Sequence, residues 1–473
     1  MSLELHSRLS SSVVQANGGP RLVYLLLEVQ GGQVETTLAG NLSFVIDVSE
    51  SMRIGMVTEQ EFAELARQGL VKEVLTDGVP AFEIAALPPE RIARLPRRIG
   101  YVAQALAAAS AYLRPVDIFS VVAFAGRAQR VIPATSGRER VRLQQAARDL
   151  EFLSLGDGTQ MDDGLAMGLN ELLRPDGSAA AALEANSSYA ARLILLTDGY
   201  TRSVSECYRW AEYARQSGVK LTTMGLGVEF NEDLLIPLAD RTGGSAYYLE
   251  TPDKIGPAFQ QELGSILRTS YQDVEIKLKL SAGVELRRVH RVLPELGDFD
   301  PGPNMDGSYA LLVGDYDPGL SAALLLELVL PPAPAGAYRI AQAMLAWVHP
   351  PPAGTRLPER QVLRQDIVIE RSAAAGQPDE RVMNVVERVG AFKMGVQALE
   401  LAQDAAQSAD PAQKGQATAR LRQAATRLLD MGEAALAQSM LRQADHLEHS
   451  GALDPQVSKK LRYETRRLTQ DLL

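Results

Sequence analysis

The sequence predicts three structural parts: an α/β domain with a doubly wound, mostly parallel sheet, an antiparallel β-sandwich, and a C-terminal α-helical domain. Three observations lead to this fold class. Residues 42–46 and 193–197 are largely apolar runs, typical of strands covered on both faces, and stretches with helical spacing lie between such runs. Beyond Tyr271, apolar and polar residues alternate as in strands with one buried face. From about Gln377 onward the apolar spacing is helical.

The α/β domain is predicted over residues 40–269. Its strands are expected at 42–46, 117–124, 193–197 and 220–226, and its helices at 97–113, 138–153, 161–173, 205–216 and 254–268. Strands and helices that alternate in this way indicate a sheet with helices on both faces. An insertion at residues 54–96 interrupts the order. It contains a predicted helix at 59–68 and a predicted hairpin, 71–75 and 79–84, around the Asp77-Gly78 turn.

The sandwich is predicted over residues 270–374, with period-two strands separated by Pro- and Gly-rich turns. These strands are expected at 274–280, 309–313, 323–330, 338–348 and 361–370. Residues 1–39 contain two further predicted strands, which we expect to join the sandwich.

The helical domain is predicted over residues 375–473, with about four helices. Two of them are expected to begin at Asp410-Pro411 and Asp454-Pro455, where a capping aspartate precedes a proline. We expect these helices to dock independently of the metal, so that truncation near Ala374 leaves a folded, Mg²⁺-binding fragment.

Composition excludes several classes of protein. The chain has 473 residues, and 48 Lys and Arg against 58 Asp and Glu give a net charge of −10, which disfavours binding to nucleic acid. A single cysteine, Cys207, excludes an intramolecular disulfide and a multi-cysteine metal site. No signal sequence or membrane-spanning run is apparent. We therefore expect a cytoplasmic protein with no membrane span and no nucleic-acid partner.

The residues with the clearest chemistry follow predicted strands of the α/β domain. Asp47, Ser49 and Ser51 follow its first strand, Asp198 follows the strand at 193–197, and Thr159 lies in a glycine-containing loop ahead of a helix. Ligands of open α/β sheets bind beyond the carboxyl ends of the strands. Hydroxyl and carboxylate oxygens suit a hard divalent cation such as Mg²⁺.

Together these segments resemble the metal-ion-dependent adhesion site (MIDAS) of the von Willebrand factor type A (vWA) domain. The resemblance covers about residues 41–268 and implies a Rossmann-like fold with bound Mg²⁺ or Mn²⁺. It implies that the hydroxyls of Ser49, Ser51 and Thr159 are metal ligands and that Asp47 and Asp198 hold the metal mostly through water. Glu50 departs from the pattern, because many members have glycine there. It either adds negative charge beside the metal or points into solvent.

The resemblance implies a binding function. Neutral hydroxyl ligands leave the cation under-neutralised, so a carboxylate from a partner protein can complete its coordination. Catalysis would need a positioned base, a nucleophile or a second metal, and no histidine lies near these loops in the sequence. We therefore expect no catalytic residues, no organic cofactor and no enzyme activity. The expected function is that of an intracellular scaffold or adaptor of the bacterial multidomain type.

Two other functions stay open. Members of this family also work as accessory subunits of AAA+ ATPase machines of the MoxR or chelatase type, and stimulation of such an ATPase on mixing would favour that role. A metal-dependent hydrolase would require phosphoester turnover that depends on Asp47. The insertion begins almost directly after Ser51, so it either covers the proposed metal site or caps the sheet edge.

Overall fold

The computed structural model describes residues 3–32, 37–55, 64–76, 79–84, 90, 95–175, 179, 189–227, 230–299, 301–319, 321–349, 359–408 and 410–470. The chain divides into two compact units. Residues 37–269 form the α/β unit, and residues 1–36 with 270–473 form the sandwich–helix unit.

The strands of the described residues are numbered in chain order. They are β1 Leu3–Leu9, β2 Val13–Gln15, β3 Arg21–Gly31, β4 Ala39–Asp47, β5 Val71–Thr76, β6 Val79–Ile84, β7 Ile118–Phe124, β8 Ala128–Ser136, β9 Tyr189–Thr197, β10 Lys220–Leu226, β11 Ala246–Leu249, β12 Tyr271–Leu280, β13 Glu285–Leu293, β14 Gly297–Phe299, β15 Tyr309–Tyr316, β16 Ala322–Leu330, β17 Gly336–His349 and β18 Glu359–Ser372.

The α-helices are numbered in the same way. They are α1 Arg98–Ala109, α2 Arg142–Leu150, α3 Met161–Leu173, α4 Val204–Gln216, α5 Glu232–Thr242, α6 Ile255–Arg268, α7 Glu380–Gln407, α8 Pro411–Asp430, α9 Ala434–Ser450 and α10 Pro455–Thr465. None of these described helices is long and apolar enough to cross a membrane.

The α/β unit contains a six-stranded sheet in the order β11-β10-β9-β4-β7-β8. All neighbouring strands are parallel except β8, which runs antiparallel to β7. Every residue of β4 and β7 is buried, as expected of strands with helices on both faces. This parallel sheet with flanking helices confirms the predicted α/β fold class.

Close packing of α3 fixes the loop that precedes it. A Cβ atom on Gly168 would lie 2.5 Å from Val45 Cγ2, and one on Gly164 would lie 2.9 Å from Phe124 Cδ1. Only glycine lets the helix approach β4 and β7 so closely. The loop at residues 156–160 is therefore held beside the carboxyl end of β4.

The insertion contains the predicted hairpin. Strands β5 and β6 pair antiparallel, while the Asp77-Gly78 turn lies outside the described residues. Residues 64–67 are helical, and the rest of the predicted helix up to residue 63 also lies outside them. An antiparallel bridge joins Gly55 to Arg97. The chain therefore enters and leaves the insertion at neighbouring positions.

The sandwich–helix unit contains two five-stranded sheets. One has the order β1-β3-β16-β13-β14 and the other β15-β12-β17-β18-β2. All pairs are antiparallel except β18 with β2. A buried apolar cluster fills the space between the sheets, with residues such as Leu25 and Leu326 from the first sheet and Ile276 and Leu345 from the second.

The C-terminal helices α7 to α10 pack against the first of these sheets. Side chains on its outer face, including Leu26, Val292 and Leu325, belong to one buried cluster with helix residues such as Leu399 and Leu421. The helices expected over residues 375–473 are present, and they pack directly on the sandwich. They cover an apolar face of the sandwich, and truncation near Ala374 would expose that face.

A charged cluster also joins α7 to this sheet. His290 Nδ1 lies 2.8 Å from Asp298 Oδ1, and its Nε2 lies 3.2 Å from Glu327 Oε1. Lys393 Nζ of α7 lies 2.9 Å from His290 Nε2 and 3.3 Å from Glu327 Oε1. His290 is buried, so these contacts compensate the loss of its hydration.

Candidate metal centre

The five residues proposed from the sequence lie at one edge of the α/β sheet. Asp47 ends β4, and Asp198 directly follows β9, which is the parallel neighbour of β4. Ser49 and Ser51 lie in the loop after β4, and Thr159 lies in the loop before α3. The carboxyl ends of parallel strands meet at the same edge, which is why residues more than a hundred positions apart in sequence come together.

Asp47 is completely buried and its carboxylate accepts hydrogen bonds on both oxygens. The backbone N–H of Ser49 donates to Oδ1 at 2.9 Å, and the hydroxyl of Thr197 donates to Oδ2 at 2.5 Å. The first bond folds the loop after β4 back on the strand end, so that Ser49 lies beside the carboxylate.

The two serines connect Asp47 to Asp198. The hydroxyl oxygens of Ser49 and Ser51 are 3.0 Å apart, and the Ser51 hydroxyl donates to Asp198 Oδ1 at 2.8 Å. Both serines and Asp198 are buried. The loop after β4 and the tip of β9 thus present a continuous set of oxygen atoms.

Thr159 reaches the same place from the loop before α3. A Cβ atom built on Gly199 would lie 3.4 Å from Thr159 Oγ1 and 3.9 Å from Asp47 Oδ2, so both oxygens border Gly199. The loop is held by a hydrogen bond from the Gln160 N–H to the Ala125 carbonyl at 2.7 Å. Gly158 adopts a φ of +99°, which non-glycine residues rarely adopt.

The pKa values of both buried carboxylates are raised above the ordinary value of aspartate. Burial, followed by the nearby Asp198 carboxylate, raises the pKa of Asp47 to about 7. Burial also raises the pKa of Asp198, although the Arg98 guanidinium acts in the opposite direction. Two buried carboxylates that share a site are stabilised when a proton or a cation reduces their negative charge.

Two neighbours of the site were not predicted from the sequence. Thr197 holds Asp47 through its hydroxyl, and Arg98 Nη1 lies 2.7 Å from Asp198 Oδ2. The sequence could have indicated Thr197, because it ends a buried strand and directly precedes Asp198. Nothing local in the sequence connects Arg98 to Asp198. Glu50, for which two orientations were open, is exposed to solvent.

The donor set fits a hard divalent cation. It offers the hydroxyl oxygens of Ser49, Ser51 and Thr159 and the carboxylates of Asp47 and Asp198, with no nitrogen or sulfur ligand among the described residues of the site. Elsewhere in the described ranges, no group of three or more His, Cys, Asp or Glu side chains is arranged to hold a metal.

Comparison with known families agrees with this fold. Residues 98–261 match the von Willebrand factor type A domain, and residues 380–471 match the Sll0103-like, C-terminal alpha-helical domain. The chain therefore contains a vWA domain and a C-terminal helical domain. The vWA match begins at Arg98, so it includes Thr159 and Asp198 but not the loop after β4.

Two proteins with similar sequences are bacterial. The chain is 26% identical over 246 residues to "Uncharacterized protein sll0103" of Synechocystis sp., covering 51% of this chain and 55% of the relative. It is 24% identical over 226 residues to "Uncharacterized protein YfbK" of Escherichia coli, covering 46% and 36%. The chain thus spans about half the length of the first relative and about a third of the second.

Two solved structures share the fold along nearly the whole chain. A von Willebrand factor type A protein from Catenulispora acidiphila has a TM-score of 0.71 at 16% identity, covering 98% of this chain and 96% of its own. The ArnB paralog VWA2 from Sulfolobus acidocaldarius has a TM-score of 0.52 at 14% identity, covering 99% of both chains. At these identities the likeness establishes the fold alone.

Proposed function

We propose that the α/β unit binds a divalent cation, Mg²⁺ or Mn²⁺, and uses it to bind a carboxylate of a partner protein. The observation that carries this proposal is the joining of two fully buried carboxylates, Asp47 and Asp198, through the backbone N–H and hydroxyl of Ser49 and the hydroxyl of Ser51. Two buried carboxylates that share a site are stabilised by a cation, which reduces their combined negative charge.

Each residue has a distinct part in this proposal. The hydroxyls of Ser49, Ser51 and Thr159 would be direct ligands, and the carboxylates of Asp47 and Asp198 would hold the cation mostly through water. Thr197 keeps Asp47 oriented through its 2.5 Å hydrogen bond. A bound cation would supply an open coordination position for a carboxylate oxygen of the partner.

The same residues support binding more than catalysis. Among the described residues, the hydrogen-bonded set around Asp47 and Asp198 contains hydroxyls, carboxylates and the Arg98 guanidinium, and no histidine. Within this set, the pKa values of Asp47 and Asp198 are raised, and both carboxylates would hold the cation. We therefore propose a scaffold or adaptor rather than an enzyme.

Affinity capture with the full chain tests this function. The wild type, an Asp47→Ala variant and an Asp149→Asn control should be compared in Mg²⁺ and in chelator; Asp149 is an exposed carboxylate on α2. We expect a specific partner that is bound by the wild type and the control in Mg²⁺ only. Asp47→Ala should bind at the chelator level while keeping its cooperative unfolding. Equal capture by all proteins in both buffers would contradict the proposal.

A further inference from the structure

Two arginines occupy inward-facing positions at one end of the sandwich. Arg371 lies two residues after Ile369 on β18, and Ile369 belongs to the core between the sheets. Arg21 lies two residues before Val23 on β3 of the opposite sheet, and Val23 belongs to the same core. Residues two apart on a strand share a face, so both arginines face the interior. Such positions are usually apolar, because a charged group loses its hydration there.

The strand register and two hydrogen bonds bring these arginines to the same place. Arg21 pairs with Leu330 of β16, and the carbonyl of the next residue, Pro331, accepts a hydrogen bond from Arg371 Nη2. In the other direction, Arg21 Nη2 donates to Gln15 Oε1 at 2.8 Å. Gln15 follows the residue of β2 that pairs with Arg371. The two guanidinium groups therefore cross between the sheets at the same end of the sandwich.

Much of the hydrogen-bonding capacity of these two arginines is unused. Nε and Nη1 of Arg371 and Nε of Arg21 are buried and have no hydrogen-bond partner within the described ranges. Only 4% of Arg371 is exposed. No carboxylate of the described residues forms an ion pair with either guanidinium, whereas Arg381 of the same unit pairs with Glu28 at 2.6 Å. Two positive charges thus lie at this end without a negative charge to balance them.

A nearby aromatic ring does not supply that balance. The Cζ atom of Arg371 lies over the ring of Tyr338, 5.6 Å from its centroid. Such a contact attracts a cation, but the ring carries no net negative charge. Burial of an ionised group is costly unless the group is both paired and hydrogen-bonded. The arrangement therefore favours an anion that supplies both the charge and the missing acceptors.

The end of the sandwich is accessible beside Arg21. Gln15 and Gly19 are exposed, and a Cβ atom on Gly19 would meet no other residue within 4 Å. Because Gln15 is exposed, its amide can turn into solvent and leave Arg21 Nη2 to another acceptor. An anion that replaces this amide enters between the two sheets, on the side from which Arg21 and Arg371 extend.

We propose that Arg21 and Arg371 form a binding site for a small, doubly charged oxyanion such as inorganic phosphate. The proposal is independent of the metal centre. Each guanidinium carries one positive charge, and a phosphate group carries about −1.5 to −2 at neutral pH, so the charges nearly cancel. The planar fork of arginine also suits an oxyanion, which can accept two parallel N–H bonds. A singly charged ion such as chloride or acetate would leave one guanidinium unbalanced.

A purely structural role for these arginines leads to a different expectation. If they only joined the two sheets through Pro331 and Gln15, phosphate would bind no better to the wild type than to variants without the charges. Loss of a charged hydrogen-bonding partner should instead weaken phosphate binding by about tenfold or more. Phosphate affinity therefore separates a binding site from a structural bridge.

The test uses the full chain, dialysed free of divalent cations so that the metal centre cannot hold phosphate. Arg371→Met and Arg21→Gln each remove one charge, while Arg371→Lys keeps the charge and loses the fork. Arg339→Gln is a matched control, because Arg339 is an exposed arginine of β17 that pairs with Asp366 at 3.6 Å. Calorimetric titration measures the affinity for phosphate, acetate and chloride at constant ionic strength. Thermal unfolding shows whether each variant is folded.

We expect the wild type and the control to bind one phosphate, and Arg371→Met and Arg21→Gln to bind it at least about tenfold more weakly. Arg371→Lys should lose less affinity than Arg371→Met, and acetate and chloride should bind the wild type at least about tenfold more weakly than phosphate. No phosphate binding by the wild type, or equal binding by both charge-removing variants, would overturn the proposal. If Arg371→Met fails to unfold cooperatively, Arg21→Gln decides the outcome.

Discussion

Asp47 and Asp198 are both fully buried, and a hydrogen-bonded path through Ser49 and Ser51 joins one carboxylate to the other. Such a pair is costly to bury when both groups are ionised. The folded chain reduces this cost with the guanidinium of Arg98 and the hydroxyl of Thr197. We propose that a bound cation balances the remaining negative charge.

Asp47 should make the stability of the metal-free α/β unit depend on pH. Its folded pKa of about 7 lies above the ordinary value of 3.8, so folding favours its protonated form. That contribution is complete below about pH 4 and is lost as the pH rises through about 7. In chelator, the free energy of unfolding should therefore fall by roughly 1–3 kcal/mol between about pH 5 and pH 8.

Urea unfolding at several pH values measures this effect. Asp47→Asn, which is neutral at every pH, should lose the decline, and the exposed Asp149→Asn control should keep it. Saturating Mg²⁺ should also suppress the decline in the wild type. An unchanged pH dependence in Asp47→Asn would show that Asp47 is not the group responsible.

Loss of one hydroxyl should weaken metal binding without affecting the fold. Thr159→Val keeps the shape of the side chain and removes only the hydroxyl oxygen that borders Gly199. We expect its Mg²⁺ affinity to fall by about tenfold, as for loss of one good ligand contact. Its melting temperature in chelator should stay within about 2 °C of wild type. Thr135→Val, which removes a hydroxyl bonded to the Pro133 carbonyl elsewhere in the unit, is the control and should bind Mg²⁺ normally.

Removal of the insertion should alter partner binding and spare metal binding. Because Gly55 and Arg97 form a backbone bridge, residues 56–96 can be replaced by a turn of about two to four Gly and Ser residues. This deletion keeps Ser51 and Arg98. We expect normal Mg²⁺ affinity by calorimetry and changed affinity or identity of the captured partner. Unchanged partner binding would show that the insertion only caps the sheet edge.

Truncation after Ala374 should fail to give a well-folded sandwich. It exposes Leu26, Val292 and Leu325 on the outer face of the first sheet. Burial of each large aliphatic side chain contributes about 1.5–3 kcal/mol, and a domain is stable by only about 5–15 kcal/mol. The truncated chain should aggregate or bind a hydrophobic dye, while residues 37–269 expressed alone should unfold cooperatively. A soluble, cooperatively folding truncation would contradict the role of these contacts.

The sequence was sufficient to predict the centre of the α/β sheet because its strands are covered on both faces. The apolar run within β4 and the one within β9 identify buried parallel strands, and the shared edge of such strands brings Asp47, Ser49, Ser51 and Asp198 together. Their action as metal ligands stays a prediction.

Two strands, β8 and β13, were not predicted from the sequence because their composition is unusual for a strand. Strand β8 contains Pro133 and few apolar residues, because it lies at the sheet edge. Strand β13 is rich in arginine, and its buried His290 contacts acidic and basic side chains of other elements. The apolar run in β16 did indicate burial on both faces, but nothing local showed that the C-terminal helices cover the second face.

The contact between Arg98 and Asp198 at the site was also not predicted from the sequence. An arginine at the start of a helix usually lies in solvent, and its partner Asp198 is 100 residues further along the chain. Only the tertiary arrangement of α1 beside the tips of β9 and β10 reveals the contact. Charges brought to a site from a distant element are therefore the part of its chemistry that sequence patterns predict least well.

The position of Mn²⁺ in a crystal of the full chain, located by its anomalous scattering, tests the central claim most directly. We predict a single strong peak in the α/β unit, about 2.1 Å from the hydroxyl oxygens of Ser49, Ser51 and Thr159, as expected for a small hard cation. The peak should be absent from crystals of Asp47→Ala. A peak bound elsewhere, or no peak at these three oxygens at saturating Mn²⁺, would contradict the account.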